Sequence, residues 1–251
     1  MGELLRHPGV VLAASLVLTW LSTHAGGYVE RKWRPLREEE RVPCQLISSA
    51  ALTLLGLIIA FSFSMAVSRY DQRKNYEEAE ANAIGTELLR VELLPLAAAQ
   101  QEKALLRSYL RQRILFYEER HDRRLAGISE ETARLQGEMW SVVRAAAAAQ
   151  PDPVMALVAA GMNDVLNSQG YTQAAWWNRI PEGAWLLMVA IAMCSCALVG
   201  YSAHQARPAL LVVLPVILSV AFFLIADIDS PRHGVIRVIP QNLVDLEPAP
   251  R

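Results

Sequence analysis

From Gln45 to Val67 the chain runs for 23 residues without one ionisable side chain. A helix rises about 1.5 Å per residue, so this run matches a hydrocarbon core of about 30 Å. A segment of that length and polarity demands a lipid environment, and it constrains the fold more than any other feature. Shorter or less pure apolar runs accompany it. One covers Val10 to Leu21 and extends to about Gly27, one covers Gly183 to Ala203, and one covers Ala209 to Ala226. The expected architecture is an all-α integral membrane protein with four transmembrane helices, at about 9–27, 45–67, 183–203 and 209–226. The first run also has the core length of a signal peptide, with a weak cleavage pattern at Thr23 and Ala25. Trp20 and Tyr28 suit an interfacial boundary, so a retained helix is the expectation. Arg207 and Pro208 mark a short hairpin, and Pro215 predicts a kink in the fourth span.

The block at 68–182 has a different character. It carries 14 Lys+Arg and 16 Asp+Glu, a near balance that argues against a nucleic-acid surface. It reads as a soluble helical domain between the second and third spans, followed at 230–251 by a short tail. Helix would continue from the second span through Arg69–Leu94 and stop at Pro95, with Ala81, Ile84, Leu88 and Val91 on one face. Leu106, Tyr109, Leu110, Ile114 and Tyr117 form a second apolar stripe, beside a solvated pair, Arg107 and Arg111. Ser129 with Glu130 and Glu131 predicts a helix start. Asp152 and Pro153 predict another, ending near Gly170. Glu77, Glu78 and Glu80 are expected to face water. Trp176, Trp177 and Trp185 are expected in an interfacial belt.

Topology follows weakly from charge. Four spans put Arg6, Arg69, Arg73, Lys74, Arg179, Arg232 and Arg237 on one side, and Arg31, Lys32, Arg34, Arg37, Arg41 and Arg207 on the other. That slight excess sets the central domain in the cytoplasm.

No enzyme is expected. The five histidines are scattered, and the metalloprotease, P-loop, dinucleotide and nucleophile-elbow motifs are all missing. Cys44, Cys194 and Cys196 form no metal or redox pattern, so neither a metal nor a cofactor is expected. Asp227 and Asp229 end the fourth span. Boundary acids of this kind fit an ion pair with Arg69, Arg73 or Arg232, or a cation site. On the second span Thr53, Leu57, Phe61 and Met65 recur every four residues on one helical face. That face suits plain helix contact. It also suits rings of apolar side chains around an axis, which gate conduction by dewetting.

Several strings carry a family resemblance. LIIAFSFSMAVSRY at 57–70, EANAIGTELLR at 80–90, NRIP at 178–181 and DIDSPRHGVIR at 227–237 resemble a bacterial membrane family described as bestrophin-like. The resemblance covers about 45–246. Bestrophins are pentameric channels, mainly for anions, with four membrane segments and a helical cytosolic body. Their second segment lines a neck with apolar residues at four-residue spacing, and its end is similar to Val67-Ser68-Arg69-Tyr70 here. The resemblance therefore implies a homo-oligomeric channel for inorganic ions in a bacterial inner membrane, with Thr53, Leu57 and Phe61 at the neck. Two departures matter. Thr53 is polar where the family is apolar, and the acidic run of the animal calcium clasp is missing, so calcium gating is not implied. The rival is a non-conducting scaffold or sensor whose helical domain recruits partners.

Overall fold

The computed structural model describes residues 7–202 and 208–247. Among these residues all regular structure is helical, with no strand. The helices are α1 (Pro8–Lys32), α2 (Glu38–Arg90), α3 (Leu96–Glu118), α4 (Asp122–Ala149), α5 (Pro153–Trp177), α6 (Glu182–Ser202), α7 (Pro208–Asp229) and α8 (Gln241–Val244), with a 3-10 turn at Val91–Leu93. Four stretches are long and apolar enough to cross a membrane: Pro8–Lys32, Glu38–Leu93, Pro153–Ser202 and Ala209–Asp229. The protein is an all-α integral membrane protein. The expected hairpin residue Arg207, and Arg6 at the other end, lie outside the described residues.

Local chemistry sets the helix ends. Three glutamates, Glu38 to Glu40, open α2 and oppose the positive end of its dipole. The helix thus starts ahead of the apolar run and takes in Pro43, which shortens the link from α1 to residues 33–37. It ends where Pro95 forces Leu94 into extended backbone, φ −73° and ψ 159°. The Asp152 carboxylate accepts from Met155 N at 2.8 Å, and Pro153 opens α5.

Two local expectations fail. Helix α4 begins at Asp122, not at Ser129, because Glu119 organises the preceding turn. Its carboxylate accepts from the Arg120 and His121 amides, both at 2.9 Å, and from His121 Nδ1 at 2.8 Å. These hydrogen bonds to His121 hold Glu119 down at about 2. Helix α5 runs straight through Gly170 to Trp177, because a glycine costs only about 1 kcal/mol within a helix.

The chain forms two compact units. One comprises Met1–Arg69 and Arg179–Arg237, the other Tyr70–Asn178 and Val238–Arg251, so the boundary falls within α2. In the first unit α1 packs on α6 and α7. Close approach there depends on glycine: a Cβ on Gly26 would strike the Ala197 carbonyl, and one on Gly200 would strike the Thr23 carbonyl. The buried α1 hydroxyls satisfy themselves on the preceding turn, Thr19 on Ser15 O at 2.6 Å and Thr23 on Thr19 O at 2.9 Å. In the second unit α3, α4 and α5 enclose an apolar core with Leu106, Tyr109, Met139, Val158 and Met162 at its centre. The segment from Val238 to Leu246 joins that core, so part of the short 230–251 tail belongs to the helical domain.

Candidate functional site

Burial divides α2 by face. Ser48, Leu55, Ser62 and Ala66 are buried. By contrast Leu57, Phe61 and Met65 are 52%, 65% and 38% exposed, and Thr53 is exposed as well. Thr53 turns its hydroxyl back to Ser49 O at 2.8 Å. The row Thr53, Leu57, Phe61 and Met65 is thus left uncovered by its own chain, at spacings that stay on one helical ridge.

Arg69 continues the row. Its Nη2 lies 3.4 Å from Met65 Sδ, and its Nη1 lies 3.8 Å from Asp229 Oδ1. Asp229 also accepts from the Ile180 amide at 3.1 and 3.2 Å, which ties the start of α6 to the end of α7. Asp227 does different work. Its two oxygens accept from the Val235 and Ile236 amides, each at 2.8 Å, and so fold the chain back after α7. Gly234 fits this turn because a Cβ would strike the Asp227 carbonyl. Of the two expected acids, Asp229 pairs with Arg69 and Asp227 serves the backbone. Among the described residues no three His, Cys, Asp or Glu gather in a metal-binding group.

The helical domain holds a polar cluster built on glutamates expected to face water. Glu80 is fully buried, and Glu77 nearly so; only Glu78 of the three is exposed. Glu80 pairs with the buried Arg113 guanidinium and accepts from Thr172 at 3.0 Å and Tyr117 at 3.3 Å. Arg113 also lies over the Phe116 ring, 4.5 Å from its centroid. Burial, then the Glu80 charge, raises the Tyr117 phenol well above its ordinary range. Glu77 accepts from Leu243 N at 3.0 Å and Asn242 Nδ2 at 2.6 Å, which pins α8 to the domain. Arg73 donates to the carbonyls of Ala175 and Asn178, both at 3.2 Å.

A signal for these residues was present. Arg73, Glu77, Glu80, Ile84, Glu87 and Val91 are all buried, and they follow one another at spacings of 4, 3, 4, 3 and 4. That is the period of a buried helical seam. Most of its members are ionisable, so the apolar residues alone do not trace it. The tryptophan belt is also corrected. Trp176 packs on Phe116 and Tyr117, Trp185 packs on Phe222, and only Trp177 of the three is exposed.

Comparison with known proteins places this geometry. The model of a family described as Bestrophin-like domain matches residues 9–243. A crystal structure of a bacterial bestrophin homologue from Klebsiella pneumoniae is similar, with a TM-score of 0.66 at 16% identity, covering 94% of this chain and 96% of that one. A tryptophan-to-alanine variant of the Klebsiella homologue gives a TM-score of 0.65 at 14% identity, covering 93% and 96%. At such identity these likenesses speak to the fold. No curated protein matches the chain in sequence.

Proposed function

The chain belongs to the Bestrophin-like family, and from that membership we propose that it is an ion channel built from several copies of itself, with a hydrophobic neck on α2. The observation that carries this reading is the uncovered row Thr53, Leu57, Phe61 and Met65. An apolar row has no reason to avoid lipid, so exposure alone does not select a pore. Its register supports one. Successive members drift by about 40° around the helix, since one turn takes 3.6 residues. Such a row follows a single axis when each copy of α2 crosses that axis obliquely. Rings of Leu57 and Phe61 would then exclude water when narrow and pass ions when wetted. Thr53 offers a polar rung before these rings, and Arg69 sets a guanidinium beyond them.

The expected assembly is a pentamer, the expected ion an anion, and the expected setting a bacterial inner membrane with the central domain cytoplasmic. The anion rests on the family resemblance, since the Arg69 guanidinium at the end of the row is paired with Asp229 at 3.8 Å. Purified full-length protein in liposomes tests the reading. Chloride efflux is expected from the wild type and a higher efflux from Phe61→Ala, with a reversal potential that follows chloride rather than sodium. Absence of flux from both proteins removes the channel. The scaffold reading then takes its place, with partners held through residues 68–182.

A further inference from the structure

Glu87 on α2 and Glu102 on α3 are fully buried, and no donor reaches any of their four carboxyl oxygens. Few groups face them. Gly161 of α5 lies so close to Glu87 Oε2 that a Cβ there would collide with it. Arg90, the next turn along α2, is shared with Asp164 of α5 at 4.0 Å and donates no hydrogen bond to Glu87. On α3 the neighbouring Lys103 turns to Glu92 at the surface, 2.5 Å away. Two fully buried carboxylates without protein donors and within reach of each other's charge are not both ionised; neutralising one costs far less than desolvating both.

We propose that Glu87 and Glu102 form a proton-binding pair that retains at least one proton at neutral pH, and that losing it loosens the seat of α3 and α5 against α2. Charge and burial agree with this geometry. Burial pushes Glu87 up to about 8 against the pull of Arg90, with Asp164 adding to the rise. Burial, then the charge of Glu87, pushes Glu102 up to about 8. The protons belong to the pair, whose two ionisations are coupled. In the unfolded chain each acid returns to its ordinary value of 4.5. Between that value and about 8 the folded state binds more protons than the unfolded one, so stability falls as pH rises through that window. The stabilisation is complete below the lower value and lost above the upper one. Nothing in this depends on the channel reading, because the consequence is read in folding and not in flux.

Thermal unfolding of the full chain in detergent micelles, from about pH 6 to about pH 9, tests the pair. The wild-type melting temperature is expected to fall across this range, and E87Q/E102Q, which cannot ionise there, is expected to hold a flatter profile. Equal falls in both proteins overturn the proposal. An infrared pH titration of the wild type needs no variant: a protonated-carboxyl band that disappears near pH 8 supports the pair, and a band already gone at about pH 6 overturns it. If calcium chloride added at high pH restores the wild-type melting temperature and leaves the variant unchanged, the pair binds a cation instead of a proton and the proposal falls.

Discussion

Replacing Arg113 with methionine isolates what the buried polar cluster does for the helical domain. Arg113 is 1% exposed and Glu80 is fully buried, so losing the guanidinium leaves Glu80 inside the domain without its cationic partner. The substitution keeps most of the side-chain volume against Phe116 but leaves Glu80 with two neutral donors, the hydroxyls of Tyr117 and Thr172. A buried charge stripped of its partner costs about 3–5 kcal/mol. That is about a fifth or more of the roughly 5–15 kcal/mol by which a domain is stable. For a domain of roughly a hundred residues it lowers the melting temperature by on the order of 10 °C or more. Removing both charges behaves differently. Glu80→Met with Arg113→Met leaves no ion behind, and the residual loss comes from two hydroxyls without their acceptor, about 1–3 kcal/mol each when buried. The double variant should therefore recover about 2 kcal/mol or more relative to the sum of the two single losses. Equilibrium denaturation of full-length protein in micelles, followed by fluorescence of the tryptophans that include Trp176 beside Tyr117, measures all four corners of the cycle. A loss below about 1 kcal/mol for Arg113→Met would refute the premise that the Arg113 guanidinium is what makes burial of Glu80 tolerable. Additive losses would refute the coupling.

Two further substitutions probe the fold in opposite directions. Gly170 sits inside α5 with open space around it, so Gly170→Ala should stabilise the chain by about 0.5–1 kcal/mol in the same denaturation assay; destabilisation would mean that the position is crowded or not helical. Asp227→Ala should lose about 2–4 kcal/mol by orphaning the Val235 and Ile236 amides, with Asp227→Asn losing less because one oxygen still accepts; an alanine variant that melts like the wild type would show that water replaces both bonds.

What the sequence disclosed and what it concealed differ for a physical reason. Lipid imposes a crude rule, about 20 apolar residues per crossing, and a rule that depends on length and composition survives without knowledge of contacts. The run at 45–67 could therefore be read at once. So could the stripe of Leu106, Tyr109, Leu110, Ile114 and Tyr117, all of them buried, because burial of apolar side chains follows helical period. The polar seam on α2 obeys the same period and was misplaced, since a glutamate in a helix is solvated unless a partner from elsewhere in the chain makes burial tolerable. Glu80 depends on Arg113 and Thr172, and Glu77 depends on Asn242 and Leu243. Those partners are distant in sequence, so no local pattern announces them. Glu87 on the seam and Glu102 on α3 extend the point: both are buried but find no donor, so the compensation that Arg113 supplies to Glu80 has to come from a proton. The exposed row on the same helix is the converse case. The spacing of Thr53, Leu57, Phe61 and Met65 was plain in the sequence, yet spacing cannot say what covers a face, and one copy of the chain leaves this one bare. Its meaning lies in contacts between copies. Flux through the assembled protein therefore decides the role of α2 in the membrane, whereas denaturation decides its role in the helical domain.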